Sequence, residues 1–162
     1  MAQQFSLSEA FRMAEDIEAN GFEFYSLNAK ASRDKSVKAL FAALADMEKV
    51  HQAIFAGFRE EYCGESDVHW VDPDDQAAAY IKTVADNHVF NLNKDMSSLV
   101  ASLQTPGSAI RMAIGFEKDT IVFFTAIRDA VRDDNRDKID LLIREEFEHI
   151  RILQEELDEL EK

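Results

Sequence analysis

A short pattern that suits metal binding, a glutamate followed three residues later by a histidine, occurs twice in the chain. The two copies are Glu48 with His51 and Glu146 with His149. Residues three apart lie on the same face of a helix, so the carboxylate and the imidazole of one pair can reach the same metal ion. Each pair interrupts a row of apolar residues that repeats every three to four positions, which is the spacing of the buried face of an amphipathic helix. The sequence therefore predicts that both pairs lie in the interior.

Two other apolar rows each contain one central glutamate, Glu18 in the first and Glu117 in the second. A lone carboxylate in the interior costs several kcal/mol unless it is paired or binds a metal, and four facing carboxylates would repel one another. Two divalent cations would balance the four negative charges, and the two histidines would complete the ligands. One glutamate from each of two helices, with Glu-x-x-His from each of two others, is the pattern of di-iron and di-manganese carboxylate bundles. We therefore expect two iron ions, with manganese or zinc as alternative occupants.

The alternative is that both Glu-x-x-His pairs lie on the surface and that the buried rows are rotated around each helix. The neighbours of Glu48 and Glu146 along their rows argue against it, because they are large and apolar. These neighbours are Phe41, Leu44, Phe55, Ile139, Leu142 and Leu153.

Four long helices must hold these rows, and local signals in the sequence place their ends. Ser6 to Glu9 and Thr105-Pro106 are typical helix starts, since a hydroxyl side chain caps exposed backbone N–H groups and proline is tolerated at the first helical position. Typical breaks are Ser32-Arg33-Asp34, Cys63-Gly64 and Asp133-Asp134-Asn135. We expect helices over residues of about 7–31, 35–62, 106–131 and 136–160, paired as two hairpins.

Residues of about 65–104 connect the two hairpins. If the second helix is parallel to the third, this segment must cross the length of the bundle, about 40 Å for a helix of about 28 residues at 1.5 Å per residue. One long crossover distinguishes ferritin-like bundles from up-and-down bundles with short loops. We therefore predict an all-α, ferritin-like four-helix bundle that forms a single domain over residues 1–162. Short helices are expected in the crossover at Gln76–Ala85 and Asp95–Leu103.

The composition narrows the classes of function. A net charge of −14 argues against nucleic acids and anionic membranes as partners, because both are bound by clustered Lys and Arg. The single cysteine, Cys63, excludes a disulfide framework or a Cys-x-x-Cys metal site within this chain. The start of the sequence lacks a signal-peptide pattern, and no apolar run is long enough to cross a bilayer. We therefore expect a soluble, cytoplasmic protein.

The remaining candidate residues have simpler interpretations. His69 and His88 lie in the crossover, where packing or exposure is the expected role, and Cys63 is expected to be a free thiol. Four glutamates lie off the buried rows and are expected to be solvated: Glu15, Glu23, Glu145 and Glu148. Tyr25 lies two turns after Glu18, where it can hydrogen-bond a ligand carboxylate, act as a relay near the metals, or serve as a core aromatic residue.

These motifs, in this order, resemble those of the rubrerythrins, a branch of the ferritin-like superfamily. The resemblance lies in residues 18–25 (EANGFEFY), 46–51 (DMEKVH), 113–120 (AIGFEKDT) and 145–149 (EEFEH). It implies that Glu48 and Glu146 bridge the two irons. Glu18 and Glu117 would be terminal ligands, and the histidine of each Glu-x-x-His pair would bind one iron.

Two departures from the rubrerythrin pattern bear on function. Rubrerythrins carry a rubredoxin-type four-cysteine iron site that supplies electrons, whereas this chain has only Cys63 and no rubredoxin domain. A separate, rubredoxin-like donor would have to supply them. Rubrerythrins also have an additional glutamate in the third helix, associated with movement of one iron during the reaction with peroxide, and here that position is Thr120.

The resemblance implies an oxidoreductase in which reduced di-iron reduces hydrogen peroxide or dioxygen, a role in oxidative stress, and a homodimer that pairs through helical faces. Two alternatives stay open. One is ferrous iron oxidation with storage or delivery, which requires a hollow multimeric shell for storage. The other is a structural zinc or manganese site without turnover. Particle size separates storage from the first function, and inertness of the iron-loaded protein towards both oxidants would favour the structural site.

Overall fold

The structure, a computed structural model, describes residues 7–62, 95–131 and 133–162. These residues form five helices and no strand: α1 (Leu7–Ala31), α2 (Lys35–Tyr62), α3 (Met96–Ser102), α4 (Pro106–Ala130) and α5 (Asp133–Leu160). Within the same ranges, no helix combines the length and the apolar character that a bilayer span needs. Four expectations fall outside the described residues: the cap at Ser6, the thiol of Cys63, the roles of His69 and His88, and the helix Gln76–Ala85.

The bounds of α1 and α2 are those predicted from the sequence, and Asp34 marks the turn between them. The backbone N–H groups of Ser36 and Val37 donate to the Asp34 carboxylate at 2.8 and 3.1 Å, which satisfies two donors left free at the start of a helix. The side chain of Val37 is fully buried, so this cap also fixes where the buried row of α2 begins.

Side-chain caps begin α3 and α4, and the predicted start at Thr105-Pro106 is confirmed. At α3 the Asp95 carboxylate accepts from the Ser97 N–H at 3.0 Å. At α4 the Thr105 hydroxyl accepts from the Ser108 N–H at 3.1 Å, and the Ser108 hydroxyl accepts from the Thr105 N–H at 3.2 Å. Pro106 then takes the first helical position. The short helix expected at Asp95–Leu103 is present as Met96–Ser102.

The junction between α4 and α5 differs from the prediction. The sequence predicts a helix to about residue 131 and another from about residue 136, but α4 ends at Ala130 and α5 begins at Asp133. Asp and Asn favour turns when their side chains bond to nearby backbone. Asn135 is instead buried, and its amide group donates to Glu61 at 3.0 Å and to the Tyr62 hydroxyl at 3.1 Å. These bonds to α2 explain why the helix includes a residue that reads as a break.

The helices pack as two antiparallel hairpins, α1 with α2 and α4 with α5. Across the first hairpin, Phe11 packs against Phe58 near one end and Phe24 packs at right angles to Phe41 near the other. Phe24 also packs edge-on against Phe116 of α4, with ring centroids 4.9 Å apart, so α1 contacts the second hairpin as well as its own partner α2.

Two apolar clusters fill the interior, one towards each end of the bundle. The Phe11 cluster combines the start of α1, the ends of α2 and α4, and the start of α5. The Phe41 cluster combines the end of α1, the starts of α2 and α4, the end of α5, and Val100 of α3. Helices α2 and α4 are therefore parallel, so the end of α2 and the start of α4 lie at opposite ends of the bundle, as a one-crossover topology requires.

A polar layer separates the two clusters at the middle of the bundle. It consists of the six side chains that interrupt the predicted apolar rows: Glu18, Glu48, His51, Glu117, Glu146 and His149. Each of them is at most 3% exposed, and the apolar residues on either side of them along the rows are buried as predicted. The alternative in which the Glu-x-x-His pairs lie on the surface is therefore wrong.

Candidate metal centre

The four long helices bring the side chains of the polar layer into one cluster. Two overlapping groups can each surround a metal ion, because the candidate ligand atoms within a group lie within 4.8 Å of one another. The first group is Glu18, Glu48, His51 and Glu146, and the second is Glu48, Glu117, Glu146 and His149. Glu48 and Glu146 belong to both groups, which is the position expected of carboxylates shared between two metals.

Glu146 lies between the two imidazoles. Its Oε1 is 2.8 Å from Nδ1 of His51, and its Oε2 is 2.8 Å from Nδ1 of His149. The two rings are stacked with their centroids 5.6 Å apart. Each Nδ1 also faces the unshared carboxylate of its group. Nδ1 of His51 is 3.6 Å from Glu18, and Nδ1 of His149 is 3.3 Å from Glu117. Both histidines therefore direct Nδ1 into the centre.

Most polar atoms of the layer are without hydrogen-bond partners. Among the described residues, eight buried side-chain atoms make no contact with hydrogen-bond geometry: both oxygens of Glu18 and of Glu146, one oxygen of Glu48, Nδ1 of His51 and both ring nitrogens of His149. The two 2.8 Å contacts of Glu146 with the imidazoles are close, but they are not aligned as hydrogen bonds. Each unpaired buried polar group costs about 1–3 kcal/mol, so their concentration in one layer indicates that a ligand belongs there. Carboxylate oxygens and imidazole nitrogens are the donors that iron, manganese and zinc accept. The residues present therefore fit a pair of such ions.

Burial raises the pKa of three carboxyl groups in the layer. Loss of hydration raises the pKa of Glu18 well above its ordinary value, and for Glu48 the nearby charge of Glu18 adds to the same effect. The pKa of Glu117 rises to about 7, because burial and the charge of Glu146 outweigh the contact with His149. Without metal, these three carboxyl groups hold protons at higher pH than exposed glutamates do.

The pKa values of the two histidines and of Glu146 shift against the effect of burial. Burial alone would lower the pKa of an imidazole, but the contacts with carboxylates raise the pKa of His51 to about 9 and that of His149 to about 10. Burial would raise the pKa of Glu146, but the two imidazoles outweigh it and lower that pKa to about 2. Protons thus balance the charge of the layer in the metal-free protein, and they must leave when a metal binds.

Tyr25 contacts the layer from α1. Its hydroxyl donates a hydrogen bond to Oε1 of Glu117, which confirms one of the roles considered from the sequence, a bond to a candidate ligand. Burial, followed by the negative charge of Glu117, raises the pKa of Tyr25 well above its ordinary value. Tyr25 is therefore a neutral donor that holds one oxygen of Glu117 in place.

Glu145 has a role that the sequence did not reveal. The expectation that it is only a solvated helix residue is wrong, because its Oε2 lies 2.7 Å from Nε2 of His51. If Nδ1 of His51 binds a metal, Nε2 carries the remaining proton and donates a hydrogen bond to this carboxylate. The signal that could have found Glu145 is its place directly before Glu146, on the flank of α5 that faces α2.

The other glutamates off the buried rows differ among themselves. Glu15 is mostly buried and forms an ion pair with Arg59 of α2, so the expectation of simple solvation is wrong for it. Glu23 and Glu148 are exposed, as expected, and Glu148 pairs with Arg151 one turn further along α5. None of these three side chains belongs to either group of candidate ligands.

A small cavity of about 20 Å³ reaches the layer between α1 and α4. Its described lining consists of Ile17, Asn20, Gly21, Tyr25, Glu48, Met96, Phe116, Glu117 and Thr120. A volume of this kind accommodates about one water molecule, which needs about 10–15 Å³. Gly21 keeps this space open, because a Cβ atom there would lie 3.3 Å from the Glu48 carboxylate.

Comparisons with known proteins agree with this geometry. A family model described as Rubrerythrin matches residues 2–95, which is more than half of the chain. No curated protein sequence matches. The chain is 25% identical to a crystal structure from Thermotoga maritima, that of a candidate ferritin-like diiron-carboxylate protein, with a TM-score of 0.77 over 98% of this chain and 99% of that one. The likeness confirms the predicted all-α, ferritin-like bundle.

Proposed function

The chain belongs to the rubrerythrin family, and from that premise we propose that it is a di-iron oxidoreductase that reduces hydrogen peroxide or dioxygen with electrons from a separate donor. The observation that carries the proposal is the polar layer itself. Six buried ligand-type side chains form two overlapping groups that share two carboxylates, and eight of their atoms lack hydrogen-bond partners among the described residues.

The proposed ligands divide between the two metals. One iron would be held by Glu18 and His51, the other by Glu117 and His149, and both by Glu48 and Glu146. The ferrous pair supplies the two electrons that convert hydrogen peroxide, together with two protons, into two water molecules. Glutamate suits this chemistry because hard oxygen ligands bind iron in both oxidation states, while manganese or zinc could occupy the same ligands without the same reactivity.

The small size of the cavity beside Glu48 and Glu117 favours a small oxidant as the substrate. The cavity volume of about 20 Å³ has room for about one water-sized molecule, so it suits a small oxidant better than an organic substrate. Tyr25 fixes one oxygen of Glu117 through its hydrogen bond, so that carboxylate keeps its orientation towards the centre. Phe116 and Met96 contribute apolar surface to the lining of the cavity.

The electron donor and the oligomer are further parts of the proposal. This chain has one cysteine, so it cannot form a four-cysteine iron site by itself, and a rubredoxin-like protein is the proposed donor.

The proposed assembly is a homodimer. We place the protein in the cytoplasm and assign it a role in oxidative stress. Size-exclusion chromatography with light scattering tests the dimer directly.

Rapid mixing of the ferrous protein with each oxidant tests the function. Anaerobic protein loaded with Fe(II) should be oxidised by hydrogen peroxide or by dioxygen within the mixing experiment, with a ferric absorption band and one peroxide consumed per two irons. Protein loaded with zinc is the matched control, since it fills the same ligands without a redox change. A ferrous spectrum that persists after both oxidants are added would contradict the proposal.

Ferrous iron oxidation with storage or delivery is a second candidate, because a net charge of −14 attracts cations to the surface. It predicts that iron in excess of two per chain is oxidised and retained in a particle much larger than a dimer. A dimer that retains only two irons per chain would exclude storage. Iron-loaded protein that is inert towards both oxidants would instead favour the structural metal site.

A further inference from the structure

The two histidines of the polar layer differ in what their outer nitrogens contact. Nε2 of His51 lies 2.7 Å from the carboxylate of Glu145. Nε2 of His149 is buried, and no residue in the described ranges pairs with it. The side chain of Glu145 is 39% exposed and that of His51 is 1% exposed, so this contact joins a carboxylate in contact with water to a buried histidine.

The difference can be traced to one position in each Glu-x-x-His helix. Glu145 directly precedes the shared carboxylate Glu146 on α5, and its side chain extends towards α2, where it meets His51. The residue that directly precedes the other shared carboxylate, Glu48 on α2, is Met47. Met47 therefore has the sequence position in α2 that Glu145 has in α5, and no described residue pairs with Nε2 of His149. A thioether is at most a weak acceptor and carries no charge.

We infer that the two metal subsites are inequivalent, and that the subsite of Glu18 and His51 binds divalent metal more tightly and fills first because Glu145 supports His51. The inference rests on the proposed two-metal centre. A carboxylate that accepts the outer N–H of a metal-binding histidine fixes the ring and makes the ligand nitrogen more basic, and its loss lowers metal affinity about 10- to 100-fold. Glu145 is thus a positioning residue that acts through His51.

Titration of the metal-free protein with Co(II) tests the inference, since this ion binds the same donors, absorbs visible light and is not oxidised under the conditions used. The parent protein should bind the two ions in two separable steps. Glu145→Gln should weaken the tighter step about 10- to 100-fold and leave the weaker step unchanged within the error of the titration. A matched control is Glu148→Gln, which removes an exposed carboxylate of α5 that forms an ion pair with Arg151 and makes no hydrogen bond to either histidine in the described structure, so it should change neither step.

The reciprocal variant is Met47→Glu, which places a carboxylate before Glu48. It should strengthen the weaker step and bring the two steps closer together. NMR of the Co(II)-loaded protein gives an independent readout. The shifted Nε2–H signal of His51 should be protected from exchange with water in the parent and exchange faster in Glu145→Gln, whereas the signal of His149 should not change.

Two equal binding steps in the parent, or a Glu145→Gln variant that weakens both steps equally, would overturn the inference. Thermal unfolding of each variant checks that it is folded, and if Glu145→Gln were unfolded, the parent titration and Met47→Glu would decide. The test is separate from that of the proposed function, because Co(II) binding involves no oxidant. Two unequal steps in a protein that does not react with peroxide or dioxygen would refute the function alone, and equal steps in a reactive protein would refute the inference alone.

Discussion

The two hairpins of the bundle supply the same ligands in different surroundings. Each contributes one lone glutamate and one Glu-x-x-His pair to the polar layer, and each shares one carboxylate with both ligand groups. The residues that directly precede the two shared glutamates differ between the hairpins. In the α1–α2 hairpin the shared glutamate follows Met47, whereas in the α4–α5 hairpin it follows Glu145, which supports the histidine of the opposite hairpin.

The residues that follow the two lone glutamates, Glu18 and Glu117, also differ between the hairpins. Three and seven residues after Glu18, α1 has Gly21 and Tyr25; at the same distances after Glu117, α4 has Thr120 and Phe124. Tyr25 crosses to the other hairpin and bonds to Glu117, and Gly21 leaves the space beside Glu48 open. The repeated residues are thus the candidate metal ligands, and the unrepeated residues give the two ligand groups different surroundings.

Loss of a shared carboxylate should lower the metal content far more than loss of a lone one. Glu146→Ala removes an oxygen from both groups and leaves two buried imidazoles without their common partner, so we expect metal content to fall from about two per chain to nearly none. Glu18→Ala affects only the first group and should leave about one metal per chain. Elemental analysis of purified, folded protein measures both. Equal loss in the two variants would erase the distinction between shared and lone ligands.

The pH dependence of the stability of the metal-free protein tests whether protons replace the metals in both hairpins. Glu117, with a pKa of about 7, and the histidines, with pKa values of about 9 and 10, all hold protons more tightly than in the unfolded chain. The folded state therefore binds more protons from about pH 4.5 to pH 10, and stability should fall as the pH rises through this window. Glu146, with a pKa of about 2, has the opposite effect, and its contribution is lost as the pH falls below about 4.5.

Urea unfolding of the metal-free protein between pH 4 and pH 10 measures this dependence. We expect the free energy of unfolding to decrease from mildly acidic to alkaline pH, and metal-loaded protein to lack this decrease because its ligands are already deprotonated. A metal-free protein that becomes more stable as the pH rises from 5 to 9 would contradict the assignment of buried protons to the layer.

Tyr25→Phe breaks a hydrogen bond that α1 makes to Glu117 in the other hairpin. Glu117 then loses its donor in a buried site, so we expect the metal-free protein to lose about 1–3 kcal/mol of stability. Denaturant unfolding measures this change, and Co(II) binding at the second group should weaken with it. Tyr62→Phe is the control, since that hydroxyl meets Asn135 at the end of the bundle, and metal binding should not change. A Tyr25→Phe variant with unchanged stability and binding would show that the bond is incidental.

Gly21→Ala should have the smallest effect. The added methyl group would lie 3.3 Å from the Glu48 carboxylate, so that side chain must shift by a few tenths of an ångström, and metal affinity should fall less than about tenfold. Helix propensity favours alanine by about 1 kcal/mol, so the metal-free protein should not lose stability. Gly57→Ala has open space around the new methyl group and should change stability alone. A larger effect on metal binding for Gly57→Ala than for Gly21→Ala would refute this role of Gly21.

Much of the fold and of the centre could be predicted because the relevant signals are local or are repeated. The apolar rows and the caps at Asp34 and Thr105 depend on residues within one or two turns, so the bounds of α1 and α2 agree with the prediction. The six candidate ligands stood out because a charged residue on a buried row needs compensation, and the structure places all six in one layer.

What could not be predicted depends on contacts between helices. Glu145 and Glu15 lie beside the buried rows, where a carboxylate can face water or a neighbouring helix, and only the packing decides which. Asn135 reads as a break in the sequence because its side chain commonly bonds to local backbone. Its bond to Tyr62 of α2 depends on the approach of two helices that are distant in sequence.

We expect the division of the apolar core into two clusters to make the amount of folded protein respond to the supply of metal. Neither the Phe11 cluster nor the Phe41 cluster extends through the bundle, and the layer between them contains the buried polar atoms that the proposed metal pair would bind. An ion that binds only the folded state adds about 2.7 kcal/mol at a hundredfold excess over its dissociation constant. With the proposed centre, we expect the chain to unfold more often and to be degraded sooner when its metal is scarce, so that its lifetime in the cell follows the metal available to it.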